Sequence, residues 1–114
     1  MSKTYKIQWT SNAKEDFLNI VAYIKEDSPT IVREVYQKIK SKANSNNFFP
    51  LRGKVVPELQ KEGITMYREL ISSPWRIMYK VDNDTVYIMA IFDSRQNVEE
   101  LLLQKLLRSS MPTK

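Results

Sequence analysis

Histidine and cysteine are both absent from these 114 residues, so any chemistry must be carried by carboxylates, Lys, Arg, Tyr or Ser. The usual proton carrier near neutral pH is missing. Disulfides, thiolate metal sites and cysteine nucleophiles are excluded together, and no cofactor is expected. Lys and Arg number 18 against 13 Asp and Glu, a formal charge of +5. Such an excess suits a polyanion or an acidic protein partner, the plain alternative being a solvated basic surface. Tyr79, Tyr87 and Trp75 are interleaved with basic residues, as in surfaces that stack on bases. Their alternation within apolar strands reads better as core packing.

These groups must be positioned by a small set of elements. With 42% hydrophobic residues the chain can bury one core, and a single domain over 1–108 with a C-terminal tail over 109–114 is expected. No apolar run approaches the roughly 20 residues that span a bilayer. The start MSKTYKIQWT lacks the apolar stretch of a secretory signal, so a soluble, cytoplasmic protein is expected. Tyr5, Ile7 and Trp9 alternate against Lys6 and Gln8, the period of a half-buried strand. Ser11 or Asn12 then caps a helix, with Glu15 reaching back in a capping box. The apolar stripe of that helix is Ala13, Phe17, Ile20, Val21 and Ile24, and it ends near Asp27.

Ser28-Pro29 reads as the cap and first residue of a second helix. Its stripe is Val32, Val35, Tyr36, Ile39 and Ala43, and the short connection predicts an antiparallel pair. Phe48 to Gly63 lacks periodicity and reads as a long ordered loop. Met66–Ile71, Trp75–Val81 and Val86–Phe92 are β-branched and aromatic strands joined by Ser72-Ser73-Pro74 and Asp82-Asn83-Asp84, an antiparallel meander. The third is apolar on both faces and belongs inside the sheet. A last helix is expected over Val98–Leu107. The order β-α-α-β-β-β-α predicts an α+β fold, with a helical hairpin on one face of a meander sheet and a C-terminal helix.

Three blocks in this frame resemble the RelE/ParE superfamily of type II toxins. The first is Trp9-Thr10-Ser11-Asn12-Ala13 with Asp16, Ile20, Tyr23 and Ile24. The second runs from Phe49-Pro50 through Gly53 to Val56-Pro57-Glu58-Leu59. The third comprises Tyr67-Arg68-Glu69-Leu70, Trp75-Arg76-Ile77-Met78-Tyr79 and Ile88-Met89-Ala90-Ile91-Phe92 followed by Ser94-Arg95. No block is specific alone; their order and spacing carry the likeness over nearly the whole chain. The resemblance implies a RelE-like fold and a toxin made together with an antitoxin that wraps it. RelE-like members cleave messenger RNA in the ribosomal A site, whereas ParE-like members poison DNA gyrase.

The resemblance also implies roles for three arginines. Arg76 matches an arginine that stabilises phosphate in ribosome-dependent members, where a guanidinium can hold a phosphoryl oxygen in two hydrogen bonds. Arg95, just past the last strand, matches a catalytic arginine of RelE. Arg68 would be a positioning group if Ser72-Ser73-Pro74 is the whole loop, because it then shares a face with Arg76. A loop one residue longer reverses the facing, puts Glu69 and Tyr67 beside Arg76 and makes Arg68 a buried or bridging structural residue. Departures from the nuclease pattern are as informative. Lysines of RelE fall at Tyr67 and Glu69, its C-terminal tyrosine falls at Leu101, and the histidine-tyrosine pair of other members is replaced near Asp93-Ser94. Glu69, Glu58 or Asp93 would act as a base only if burial or a like charge raised its pKa.

Three functions follow from the resemblance. Ribosome-dependent mRNA cleavage, an mRNA interferase activity using Arg76, Arg95 and Arg68, is favoured by the two matched arginines and the last helix. A non-hydrolytic gyrase poison needs no base and suits the missing residues. A decayed toxin would only bind its antitoxin. In each case an acidic antitoxin is the expected protein partner, with the ribosome and mRNA, or gyrase, as target and no membrane role.

Overall fold

Alternation at the N-terminus makes a strand, Lys6–Trp9 (β1), from which the chain turns directly into a helix, Ser11–Asp27 (α1). The computed structural model describes residues 4–45, 50–95, 99–102 and 104. After α1 come Val32–Asn44 (α2), Lys54–Val55 (β2), Pro57–Gln60 (α3), Tyr67–Ser72 (β3), Trp75–Asp82 (β4) and Thr85–Asp93 (β5). Residues 99–102 and 104 are helical. Positions 98, 103 and 105–107 of the expected last helix, and the expected tail, lie outside the described residues. No helix among those described is long and apolar enough to cross a membrane.

The sheet order is β1-β5-β4-β3-β2. β5 runs antiparallel to β4, β4 to β3 and β3 to β2, while β1 joins β5 in parallel, Lys6 beside Thr85 and Trp9 beside Ile88. The meander and the interior place of β5 are as the apolar pattern predicts. Its register with β4 slips between Met78 and Tyr79. Because of this bulge Ile88 and Ile91, an odd number of residues apart, both join the core beneath the helical hairpin. That core contains Ala13 and Phe17 of α1, Ile39 and Ala43 of α2, and Leu70, Ile77, Tyr79, Val86, Ile88 and Ile91 of the sheet. Phe17 stacks on Tyr36 at 5.0 Å between centroids and lies 5.3 Å from Trp9, joining both helices to β1. The other face of the sheet carries a smaller core of Val56, Leu59, Met78, Ala90, Phe92 and Leu102. Leu102 thus docks the C-terminal helical segment on its own sheet.

Four local expectations are corrected. Thr10, not Ser11 or Asn12, caps α1: its hydroxyl accepts from the Ala13 N–H at 3.1 Å. Ser28 ends α1 instead of starting α2, its N–H donating to Ile24 O at 2.6 Å, and a turn closed by Ile31 N–H on Ser28 O precedes α2. The long loop contains β2 and α3, the latter started by Pro57 at its first turn. Finally, Ser72 pairs with Trp75, so only Ser73 and Pro74 form the turn between β3 and β4.

Candidate functional site

That two-residue turn decides the surroundings of Arg76. Ile71 lies opposite Arg76 and Glu69 opposite Met78, so Tyr67, Glu69 and Arg76 share one face and Arg68 the other. The facing expected of a longer loop is therefore present, but a turn one residue shorter than Ser72-Ser73-Pro74 produces it, not the longer one. Arg76 is 8% exposed and Glu69 2%. The guanidinium forks onto Glu58, Nη1 donating to Oε2 at 2.9 Å and Nη2 to Oε1 at 2.7 Å. On its other side Nε donates to Glu69 Oε1 at 2.7 Å, and Nη2 lies 2.6 Å from the same oxygen. Lys54 Nζ approaches Glu69 Oε2 at 3.6 Å. Phe92 underlies the guanidinium at 5.2 Å from its ring centroid.

Two carboxylates and two cations sum to zero in this cluster. The hydrogen bond from Arg76 is the main cause holding Glu58 below the usual carboxylate range, and the hydrogen bond to Glu58 is the main cause raising Arg76 further. Glu58 therefore stays ionised at neutral pH but is a weak base, with both carboxylate oxygens already accepting from Arg76. An incoming phosphate would meet a guanidinium whose charge two carboxylates already offset.

Arg68 serves a different structure. Its Nη1 donates to Gly53 O at 2.7 Å and Leu51 O at 3.3 Å, while the Gly53 N–H donates to Tyr79 Oη at 3.1 Å. Gly53 is obligatory because a Cβ there would lie 2.5 Å from both Glu69 O and Tyr79 Oη. The loop before β2 is thereby clamped to the sheet, and with it the approach to Pro57–Gln60 and Glu58. Arg95 stands apart in the turn after β5. Its Nε donates to Asp93 Oδ1 at 2.9 Å, its backbone N–H donates to the same oxygen at 2.8 Å, and its side chain is 73% exposed. The Arg95 hydrogen bond lowers the Asp93 pKa. Both residues border a pocket of about 440 Å³ with Asp16, Tyr23, Trp75 and Leu101. Among the described residues, no group of His, Cys, Asp and Glu side chains could hold a metal ion.

The N-terminal block has its own task. Thr10 Oγ1 donates to Ile88 O at 2.9 Å, Asn12 Nδ2 donates to Met89 O at 3.0 Å, and Asp16 Oδ2 accepts the Ile91 N–H at 3.0 Å. These side chains satisfy backbone groups of β5 just past the point where its pairing with β1 ends.

A family model, that of the ParE toxin of the type II toxin-antitoxin system parDE, matches residues 7–98. The chain belongs to the ParE toxin family. It is a toxin of the RelE/ParE superfamily, the component of type II toxin–antitoxin systems that the three sequence blocks resemble. Solved structures agree in fold. The chromosomal ParDE system of P. aeruginosa includes a chain that superposes with a TM-score of 0.66 at 17% identity, covering 79% of this chain and 96% of that one. A chain of the toxin–antitoxin complex RelBE2 of Mycobacterium tuberculosis gives 0.54 at 21% identity, covering 80% and 92%. Among curated proteins no relative matches significantly.

In this ParE-family toxin, sequence reasoning picked out Arg76 and, in one of two registers, Glu69 beside it, but not the pairing with Glu58. Glu58, at the start of a one-turn helix inside an apparent loop, supplies the fork. The signal was present in Val56-Pro57-Glu58-Leu59, where Pro marks a helix start and Glu suits its first turn. Gly53 and Tyr79 were visible as residues but not as a pair, since their contact spans 26 positions.

Proposed function

We propose that this toxin works by holding its target, not by cutting RNA, and that the target is DNA gyrase. The supporting observation is the double carboxylate embrace of Arg76. A guanidinium meant for a scissile phosphate must offer free N–H groups and uncompensated charge, whereas here four donor contacts end on Glu58 and Glu69. The absence of histidine from the sequence and the ParE family model point the same way. A poison that traps gyrase on cleaved DNA needs a binding surface and no general base.

Ribosome-dependent cleavage is the second reading, and exposed Arg95 favours it. That guanidinium is held only by a surface pair, which costs little to open. In this reading Arg76, Arg95 and Arg68 are the catalytic and positioning groups. Arg76 would have to leave Glu58, and Arg68 would have to act from the opposite sheet face. Purified toxin added to a gyrase supercoiling reaction is expected to inhibit it and accumulate cleaved DNA, while messenger RNA on translating ribosomes stays intact. Cut A-site codons with unaffected gyrase would reverse the assignment. A toxin that binds its antitoxin and leaves growth unchanged on expression would instead be decayed.

An acidic antitoxin is the proposed partner, since both structural relatives come from toxin–antitoxin systems and this chain carries +5. Co-expression with the product of an adjacent acidic reading frame should yield a stable complex that restores growth.

A further inference from the structure

Away from the arginine cluster, α2 and the turn between β3 and β4 enclose an open groove of about 800 Å³. Lys38, Ser41, Lys42 and Ser45 line it from one exposed stripe of α2, at the three- and four-residue spacing of a single helix face. Arg52 faces them from the loop before β2, its Nη2 donating to Ser45 Oγ, while Ser45 Oγ itself donates to Lys42 O at 2.6 Å. Ser72 and Ser73 of the turn complete the rim. Three cations and four hydroxyls thus line the groove, and no carboxylate does. Lys38 has a surface partner in Glu34 at 3.6 Å. Among the described residues no carboxylate pairs with Lys42 or Arg52.

We propose that this groove grips the phosphate backbone of duplex DNA. Ammonium, guanidinium and hydroxyl donors are the groups that contact phosphodiester oxygens without reading sequence. A protein partner would need a buried apolar anchor, and among the described residues the groove offers only the side of Ile71. Single-stranded RNA would need aromatic stacking platforms, and none lines it among the described residues. The carbonyl end of α2 opposes an anion with about half an elementary charge, less than the three full positive charges around it. The choice of DNA over duplex RNA rests on the gyrase reading above; the phosphate chemistry does not.

Fluorescence anisotropy with a labelled DNA duplex tests this. At about 50 mM salt the toxin should bind, and log affinity should fall against log salt with a slope of about −2 to −3, one unit per neutralised phosphate. K42E/R52E should weaken binding by about tenfold or more and flatten the slope by about two. K14E/K25E, with the same charge change on exposed α1 positions, should stay within about twofold of wild type. Equal affinity in K42E/R52E, equal loss in K14E/K25E, a flat wild-type slope, or tighter binding to duplex RNA or polyglutamate would each overturn the groove. The wild-type slope needs no variant to fold. Supercoiling reactions on the same proteins separate the two readings. DNA binding through Lys42 and Arg52 without gyrase inhibition supports the groove and removes the gyrase target. Inhibition with DNA affinity unchanged in K42E/R52E removes the groove alone.

Discussion

Arg76, a residue suited to catalysis, is held between two carboxylates. Removing it leaves Glu69, 2% exposed, as a buried charge whose remaining cation among the described residues is the exposed Lys54 at 3.6 Å. Arg76→Ala should therefore destabilise by about 3–5 kcal/mol, read as a lower urea midpoint at unchanged slope. Arg76→Lys should recover little, because a single ammonium cannot reproduce the fork onto Glu58. Glu58 makes the cluster pH-sensitive. Its folded pKa lies below its unfolded value, so its contribution is complete above the unfolded value of about 4.3 and is lost as pH falls through the folded one. Acid titration of stability should show a shallower decline in Glu58→Gln than in wild type below about pH 5; parallel curves would deny the linkage. Asp93 shifts the same way, but its partner is exposed and the effect is screened. Gly53 is constrained by neighbours, not by backbone angle, so Gly53→Ala must push Tyr79 or β3 aside. A loss of about 1–3 kcal/mol is expected, with the hydrogen bond from Gly53 N–H to Tyr79 broken.

Among the elements, α1 is the one whose entry is built most tightly into the sheet. Thr10 both caps the helix and bonds Ile88 O, so Thr10→Ala should cost about 1–2 kcal/mol, measurable in thermal unfolding. Asn12→Ala should cost less, since it leaves one carbonyl at a partly open bulge. The sequence showed this helix, its core stripe and its end at Asp27 through periodicity alone. It did not show the cap, because Thr10, Ser11 and Asn12 are all competent and only contact with β5, about eighty positions away, selects among them. The three meander strands were legible for the same reason as α1. Their register was not: Ser72 is as good a turn residue as a strand residue, and one position moves Arg68 to the other face. The short elements β2 and α3 lay below what periodicity can resolve, and with them went Glu58, the partner that changes the meaning of Arg76.

At the scale of the molecule, the sheet separates two environments. Beneath the hairpin lies the main core with its aromatic bridge from Trp9 through Phe17 to Tyr36. On the opposite face lies the smaller core with the neutralised arginine cluster. Fold class, helix pair and family were readable from the chain, as was the positive charge. What that charge does was not, because pairing depends on which carboxylates the fold brings near, and among the described residues the fold leaves Lys42 and Arg52 unmatched by carboxylates while enclosing Arg76. One topological detail bears on how such a protein is made. Lys6 of β1 waits for Thr85 of β5, so β1 finds its neighbour only after the chain has been made through β5 and has left the ribosome. A product of interrupted synthesis that stops short of Thr85 lacks the strand against which β1 and α1 pack. Such fragments should be quickly degraded, so that only chains made through β5 persist.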